Sequence, residues 1–122
     1  MGYRSDVMAV FYTDDKEKWP VLKLYIDENF PKEWSLERME SNSNYGYVFS
    51  ESDVKWYPSY PGVGAFDRFV IAYRNLISSG EDSFPWMYEF IRIGEDTDDI
   101  ETDSEGDCNH VISVSRSIQT DF

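Results

Sequence analysis

The sequence of 122 residues contains very little cysteine and histidine and no long apolar run. The single cysteine, Cys108, excludes an internal disulfide, and together with the single histidine, His110, it cannot supply the four ligands of a structural zinc site. No apolar stretch approaches the roughly 20 residues of a membrane helix, and residues 1–6 do not begin a signal peptide. We therefore expect a cytoplasmic protein that does not bind a membrane.

Basic residues are also scarce, because 11 lysines and arginines stand against 24 acids, a net charge of −13. This balance disfavours direct binding to DNA or RNA, since phosphate contacts need Lys and Arg. Eight of the acids fall within residues 94–107, GEDTDDIETDSEGD, which contain no basic residue. The charge pattern therefore favours a basic partner and directs attention to this one segment.

Aromatic residues, by contrast, make up 17% of the chain, which argues against a disordered acidic protein. Apolar periodicity predicts the element order β-α-β-β-α-β-β, with one helix over about 15–29 and the apolar face of a second between Phe66 and Ile77. We predict a single α+β domain over residues 1–122. It is a ferredoxin-like β-α-β-β-α-β sandwich with an extra C-terminal strand, in which two helices cover one face of an antiparallel sheet. An acidic loop at 94–109 is expected to join the last two strands.

The acidic segment contains only part of a calcium-binding pattern. Counted from Glu101, the residues Asp103, Glu105 and Gly106 stand at EF-hand offsets, but Ile112 occupies the position of the bidentate glutamate. We therefore predict no metal site and no cofactor.

The sequence also gives little support for catalysis. Cys108 and His110 are two positions apart on a predicted strand, but a thiol among carboxylates is disfavoured as a thiolate. No P-loop, dinucleotide-binding glycine pattern or GxSxG motif occurs. We predict no catalytic residues and regard a carboxylate-pair hydrolase as the weakest alternative. Glu89, in an otherwise apolar strand, is the acid most expected to be partly buried, but the favoured interpretation is an outward-facing residue or a partner of Arg92 or Arg116.

The acidic segment has two interpretations, a solvated loop that aids solubility and a surface that binds a partner. Its charge density resembles that of a nucleic-acid backbone, so a row of such carboxylates is expected to fit a basic groove. This hypothesis requires that residues 95–107 project without nearby cations. The predicted partner-binding residues are Glu95, Asp96, Asp98, Asp99, Glu101, Asp103, Glu105 and Asp107.

Three stretches resemble a family of small uncharacterised proteins of tailed bacteriophages and prophages. They are GYRSDV at 2–7, SDVKWYPSYPGV at 52–63, and FIRIGEDTDDIE at 90–101 followed by VSRSI at 114–118. The family has no settled activity, so the resemblance implies context alone. In that context we expect a non-enzymatic phage inhibitor of a host or defence protein, acting in the cytoplasm of the infected bacterium. The inhibitor is expected to act through its acidic surface, and the most specific version of this hypothesis is that the surface imitates nucleic acid.

The same stretches support an alternative, a small-molecule module that binds a nucleotide. In the predicted fold Arg4, Arg92 and Arg116 lie near strand ends, and Trp56 belongs to the aromatic segment VKWYPSYPGVG at 54–64. Arginines and an aromatic ring together suit a phosphate-bearing ligand. Two simpler interpretations remain open: the arginines are counter-ions of the acidic segment, and the aromatic segment is a packed loop that covers the edge of the core.

Overall fold

In a computed structural model, the described part of the chain forms seven strands and two helices. The model describes residues 4–41, 44–57, 59–77, 86–96 and 99–106, and the backbone of 112–114 and 118–120. In chain order the elements are β1 Ser5–Thr13, α1 Trp19–Asn29, β2 Glu37–Glu40, β3 Tyr45–Val54, α2 Pro61–Ile77, β4 Trp86–Gly94, β5 Ile100–Glu105, β6 Ile112–Val114 and β7 Ile118–Thr120.

Five strands form one antiparallel sheet in the order β2-β3-β1-β4-β5, while β6 and β7 pair in a separate two-stranded sheet. The predicted α+β class, antiparallel sheet and two helices are confirmed. The predicted ferredoxin-like topology with a single added strand is not matched. The structure adds β5 at the edge of the sheet beside β4 and places β6 and β7 in a second sheet. The prediction that the acidic segment joins the last two strands as a loop is wrong, since its residues 100–105 form β5 and pair with β4.

Both helices pack against one face of the sheet. In α1 the buried residues Trp19, Leu22 and Ile26 follow the spacing that predicted its apolar face, and Pro20 lies in the first turn, where proline is tolerated. The buried residues of α2 are Val63, Phe66, Phe69, Val70 and Tyr73. Within the described ranges, no helix is both long and apolar enough to cross a membrane.

The main core is a cluster of aromatic rings between the helices and the sheet. Phe11 of β1 makes edge-to-face contacts with Phe69 and Tyr73 of α2, with centroids 5.3 and 5.2 Å apart. Such contacts add about 0.5–1.5 kcal/mol per pair beyond simple area burial. The rigid layer thus formed fixes β1 and β4 at the centre of the sheet.

The opposite face of the sheet has a smaller buried cluster, formed by Val10, Tyr12, Val48, Met87 and Ile91. Glu89 of β4 shares this face and is only 4% exposed. Its carboxylate accepts a short hydrogen bond from the Tyr12 hydroxyl. Burial of Glu89 is therefore confirmed and its outward-facing interpretation is wrong; Arg116, one of its predicted partners, lies outside the described residues.

An irregularity in β3 shapes one end of the sheet. The pairing of β1 with β3 shifts between Ser5 and Val7, and Asp53 takes a positive φ of 55°. The Asp53 N–H donates to Asp6 Oδ1 at 2.9 Å. A bulge of this kind bends the strand and re-aims its backbone groups, which here turns the Asp53 carbonyl towards the start of β1.

Candidate functional site

The acidic segment begins with a tight turn that follows β4. The Gly94 N–H donates to the Asp99 carbonyl at 2.8 Å, and the Asp99 N–H donates to the Asp96 carbonyl at 3.0 Å. The segment then continues as β5, where Ile100 pairs with Ile93 of β4. We call the six described carboxylates of this turn and strand the acidic edge: Glu95, Asp96, Asp99, Glu101, Asp103 and Glu105.

Period-two alternation places three of these carboxylates on one face of β5. Glu101, Asp103 and Glu105 are paired with Arg92, Phe90 and Tyr88, which lie on the helix face of β4. Ile100, Thr102 and Ser104 point to the opposite face. The alternation of acid and non-acid in IETDSE is itself a strand signal, and it could have predicted β5 from the sequence.

Arg92 of β4 is a counter-ion for the first half of the acidic edge. Its guanidinium donates to both oxygens of Asp99, at 2.8 and 3.2 Å, and its Nε donates to Glu101 Oε1 at 3.0 Å. The hydrogen bond to Asp99 is the main cause that raises the Arg92 pKa above its ordinary value. The Arg92 side chain is only 17% exposed, so these bonds are partly shielded from water.

Arg74 of α2 is a counter-ion for the second half of the acidic edge. Its guanidinium makes a close ion pair with Asp103, and its Nε and Nη2 each lie 3.1 Å from Glu105 Oε1. The expectation that the acidic segment lacks nearby cations is therefore wrong, and the hypothesis of an uncancelled acidic surface fails; a partner surface can be proposed only for an acidic edge that Arg92 and Arg74 partly neutralise. The interpretation of Arg92 as a counter-ion of the acidic segment is confirmed, whereas Arg116 lies outside the described residues. Arg74 was not predicted, because it is distant along the chain.

Arg92 and Arg74 pair with four of the six carboxylates of the acidic edge, namely Asp99, Glu101, Asp103 and Glu105. Asp67 of α2 lies near this edge, and burial together with the neighbouring charge of Glu101 raises the Asp67 pKa. The Glu95 carboxylate accepts the Arg4 backbone N–H at 3.1 Å. Two of the predicted partner-binding residues, Asp98 and Asp107, lie outside the described residues.

The alternative cluster is brought together only in part. Arg4 directly precedes Ser5, and Arg92 Nη1 donates to Ser5 Oγ at 3.0 Å, so both arginines lie at one end of the sheet. Arg4 Nη1 donates to the Asp53 carbonyl at 2.9 Å, and Arg92 is paired with two carboxylates. Arg116 lies outside the described residues.

Trp56 belongs to the aromatic packing. Its ring lies 5.2 Å from that of Phe66 and 5.7 Å from that of Trp34, which favours the packed-loop interpretation of this segment. Tyr60, 42% exposed, and Lys55 line a neighbouring groove of about 360 Å³. This groove is open and apolar.

No metal or nucleophilic centre emerges from the described part of the chain. Among those residues, no three side chains of His, Cys, Asp or Glu meet in a group that could hold a metal ion. Cys108 and His110 lie outside the described residues. The chemistry that the described site offers is therefore charge and hydrogen bonding on an exposed strand.

Comparison of the chain with protein-family models, with curated proteins and with solved structures finds no match.

Proposed function

We propose that the protein is a non-enzymatic binding protein that engages a basic partner protein through the acidic edge. The observation that supports it best is the row of three carboxylates on one face of β5, of which Glu101 and Asp103 keep 58% and 40% of their side chains exposed. Glu101, with 58% of its side chain exposed, is open to a partner although Arg92 contacts it. The arginines hold the carboxylates in a fixed order, which lowers the entropy lost on binding.

The spacing of the carboxylates favours a basic protein surface over full imitation of duplex DNA. Successive carboxylates on one face of a strand lie about 6.7 Å apart. A DNA duplex carries one charge for about every 1.7 Å of its axis. The strand therefore has roughly a quarter of that linear density before the arginines are counted. A row of lysines and arginines on a strand or helix of a partner protein matches this charge density better than a groove that binds duplex DNA does.

The narrower form of the proposal is a phage-encoded inhibitor of a host or defence protein; its version that imitates nucleic acid is less favoured, because of the carboxylate spacing on β5. It rests on the resemblance to phage proteins. The stretches that carry this resemblance contact one another at one end of the sheet: Arg4 bonds to Asp53, and Arg92 bonds to Ser5. Their meeting beside the acidic edge supports a shared task for that end of the molecule.

The test compares two fourfold variants that lose the same charge, from −13 to −9. The first is Glu95→Gln, Asp96→Asn, Glu101→Gln and Asp103→Asn, in the acidic edge. The matched control is Asp14→Asn, Glu17→Gln, Glu28→Gln and Glu37→Gln, four exposed carboxylates outside it. Proteins from bacterial lysate are captured on each at low salt and then eluted with salt.

We expect the wild type and the control to capture a basic protein that is lost as salt rises from about 50 to about 200 mM, because screening weakens such contacts steeply. The acidic-edge variant should lose it. Equal capture by both variants would contradict the proposal, and so would capture that does not depend on salt.

The alternative, a nucleotide-binding module centred on Arg4, Trp56, Arg92 and Arg116, is favoured by one observation. Arg4 and Arg92 lie at the same end of the sheet, where the Arg4 guanidinium bonds to Asp53 of β3 and the Arg92 guanidinium bonds to Ser5 of β1. A thermal-shift screen with linear and cyclic nucleotides separates the two proposals. A large shift that Arg92→Gln abolishes would favour the nucleotide.

We further infer that the scaffold is a ferredoxin-like sandwich widened by β5. Its support is the order β2-β3-β1-β4 within the sheet, with both helices on one face. In such a plan the added strand forms a new edge, and that edge is where the carboxylates stand.

A further inference from the structure

The outer side of β5 carries backbone groups that the sheet does not use. β5 is an edge strand of the five-stranded sheet. The Gly94 N–H bonds to the Asp99 carbonyl, which marks positions 94 and 99 as a hydrogen-bonded pair. Such pairs alternate with non-bonded pairs in an antiparallel ladder. The N–H and C=O groups of Ile100, Thr102 and Ser104 therefore point away from β4.

One contact agrees with this assignment. The Ser104 N–H bonds to the side chain of Asp103, at 2.9 Å from Oδ1, and so takes no part in the ladder. Because the Ser104 N–H already donates to Asp103, the outward N–H groups that remain open along the described part of β5 are those of Ile100 and Thr102. Thr102 stands between Glu101 and Asp103, so its N–H is flanked by two carboxylates on the helix face.

We propose that the basic partner binds by adding an extended segment to β5, with backbone hydrogen bonds at Thr102 and with Lys or Arg side chains opposite Glu101, Asp103 and Glu105. This proposal rests on the proposed function and names its mode of binding. Charge complementarity selects the occupant, because opposite charges across neighbouring strands stabilise pairing and like charges oppose it. A second copy of the chain would place two acidic edges against each other.

In strand addition, affinity and selectivity come from two different kinds of contact. Backbone hydrogen bonds supply affinity that does not depend on side-chain charge, while alternate side chains supply selectivity. The arginines Arg74 and Arg92 keep the carboxylates on the helix face, so a partner strand meets them in register. A partner that bound by charge alone would need neither the open backbone nor this order.

The probe for the test is a nine-residue peptide of alternating arginine and threonine, measured by calorimetry at about 50 and about 200 mM salt. Its control is the same peptide N-methylated at every backbone nitrogen, which keeps the charge and removes the N–H donors. We expect the plain peptide to bind at least about tenfold more tightly, because each backbone donor lost leaves an acceptor unpaired.

Protein variants give an independent arm of the test. Thr102→Pro removes a single outward N–H and leaves the ladder to β4 intact, since proline is tolerated at strand edges. Thr102→Val retains the N–H and serves as the matched control. We expect Thr102→Pro to bind the plain peptide about tenfold more weakly than Thr102→Val does, with an unchanged dependence on salt.

The outcomes separate the two proposals. If the plain and N-methylated peptides bind equally well and both are weakened by salt, strand addition is overturned while the acidic edge retains its proposed role. If neither peptide binds at low salt, both proposals fail. A dimer seen by light scattering that Thr102→Pro dissociates would make a second copy the occupant and would overturn the basic segment.

Discussion

Arg92 and Asp99 form a two-pronged ion pair across the turn that connects β4 to β5. The guanidinium Nη2 lies 2.8 Å from Asp99 Oδ1, and Nη1 lies 3.2 Å from Oδ2. The same guanidinium bonds to Glu101 and to Ser5. This one side chain therefore joins β4, the turn, β5 and the start of β1.

Replacing Arg92 should reveal which proposal is correct. Arg92→Gln removes a cation from the acidic edge, so we expect faster association with a basic partner at low salt. In a nucleotide-binding module the same change would weaken the ligand. Association is measured by stopped-flow fluorescence at two salt concentrations, with Arg38→Gln, an exposed arginine of β2, as the control. An unchanged or slower rate for Arg92→Gln would count against the acidic edge.

Loss of the hydrogen bond between Tyr12 and Glu89 should destabilise the protein. Tyr12→Phe removes one donor to a carboxylate that is 4% exposed, so we expect the free energy of unfolding to fall by about 1–3 kcal/mol. Urea denaturation measures it. Tyr60→Phe, in an exposed side chain, is the control and should change stability by less than about 0.5 kcal/mol. Equal effects of the two changes would show that the buried bond contributes nothing specific.

Asp67→Asn should stabilise the protein at neutral pH. Burial and the charge of Glu101 raise the Asp67 pKa, so between its unfolded and folded values the folded state binds more protons. The contribution of this group to stability therefore falls as pH rises through that window and is constant above it. Because the side chain is exposed, the gain is expected to be a few tenths of a kcal/mol, on the order of a surface interaction.

Thermal unfolding of wild type and Asp67→Asn at pH 7 and below the ordinary pKa of aspartate, about 3.9, measures this effect. The difference between the two proteins should shrink in acid. A gain that is the same at both pH values would assign it to a cause other than the charge of Asp67.

Gly46→Ala should disrupt the contact between β3 and β1. A Cβ at this position would lie 2.3 Å from the Phe11 carbonyl oxygen and 2.7 Å from the Tyr12 Cα, and both are backbone atoms. We expect a loss of more than about 3 kcal/mol or failure to fold, measured by urea denaturation. At Gly62 the nearest atom belongs to the Trp34 side chain, at 3.0 Å, so Gly62→Ala should cost less. The reverse order would contradict this prediction.

The sequence predicted the parts of the fold that local periodicity determines. The spacing of Trp19, Leu22 and Ile26 identified α1, and the two faces of β4 follow from alternation around Glu89. β5 was missed because charge dominated the interpretation of IETDSE, although its alternation is that of a strand. Pairing with Arg74 depends on how α2 crosses the sheet, which local patterns do not determine.

The candidate site was predicted in the same uneven way. Six of the eight acids predicted to bind a partner lie together in the turn and β5, as their density along the chain indicates, and their binding of a partner stays a prediction. Arg92 was predicted correctly as one counter-ion, and Arg74 was missed. A side chain such as Trp56 suits a ligand and a core equally well by residue type, and only its ring contacts with Phe66 and Trp34 assign it to the packing.

The ion pairs of Arg92 and Arg74 with the acidic edge close loops of different length along the chain. Arg92 reaches Asp99 across 7 residues, whereas Arg74 reaches Asp103 across 29. Closing the longer loop costs about 1.2 kcal/mol more in chain entropy, which is about two doublings of loop length. The β4–β5 hairpin can thus assemble its own ion pair before α2 docks. During refolding, the turn should acquire its native conformation before α2 docks. The second half of β5 forms its ion pairs with Arg74 only after α2 has docked.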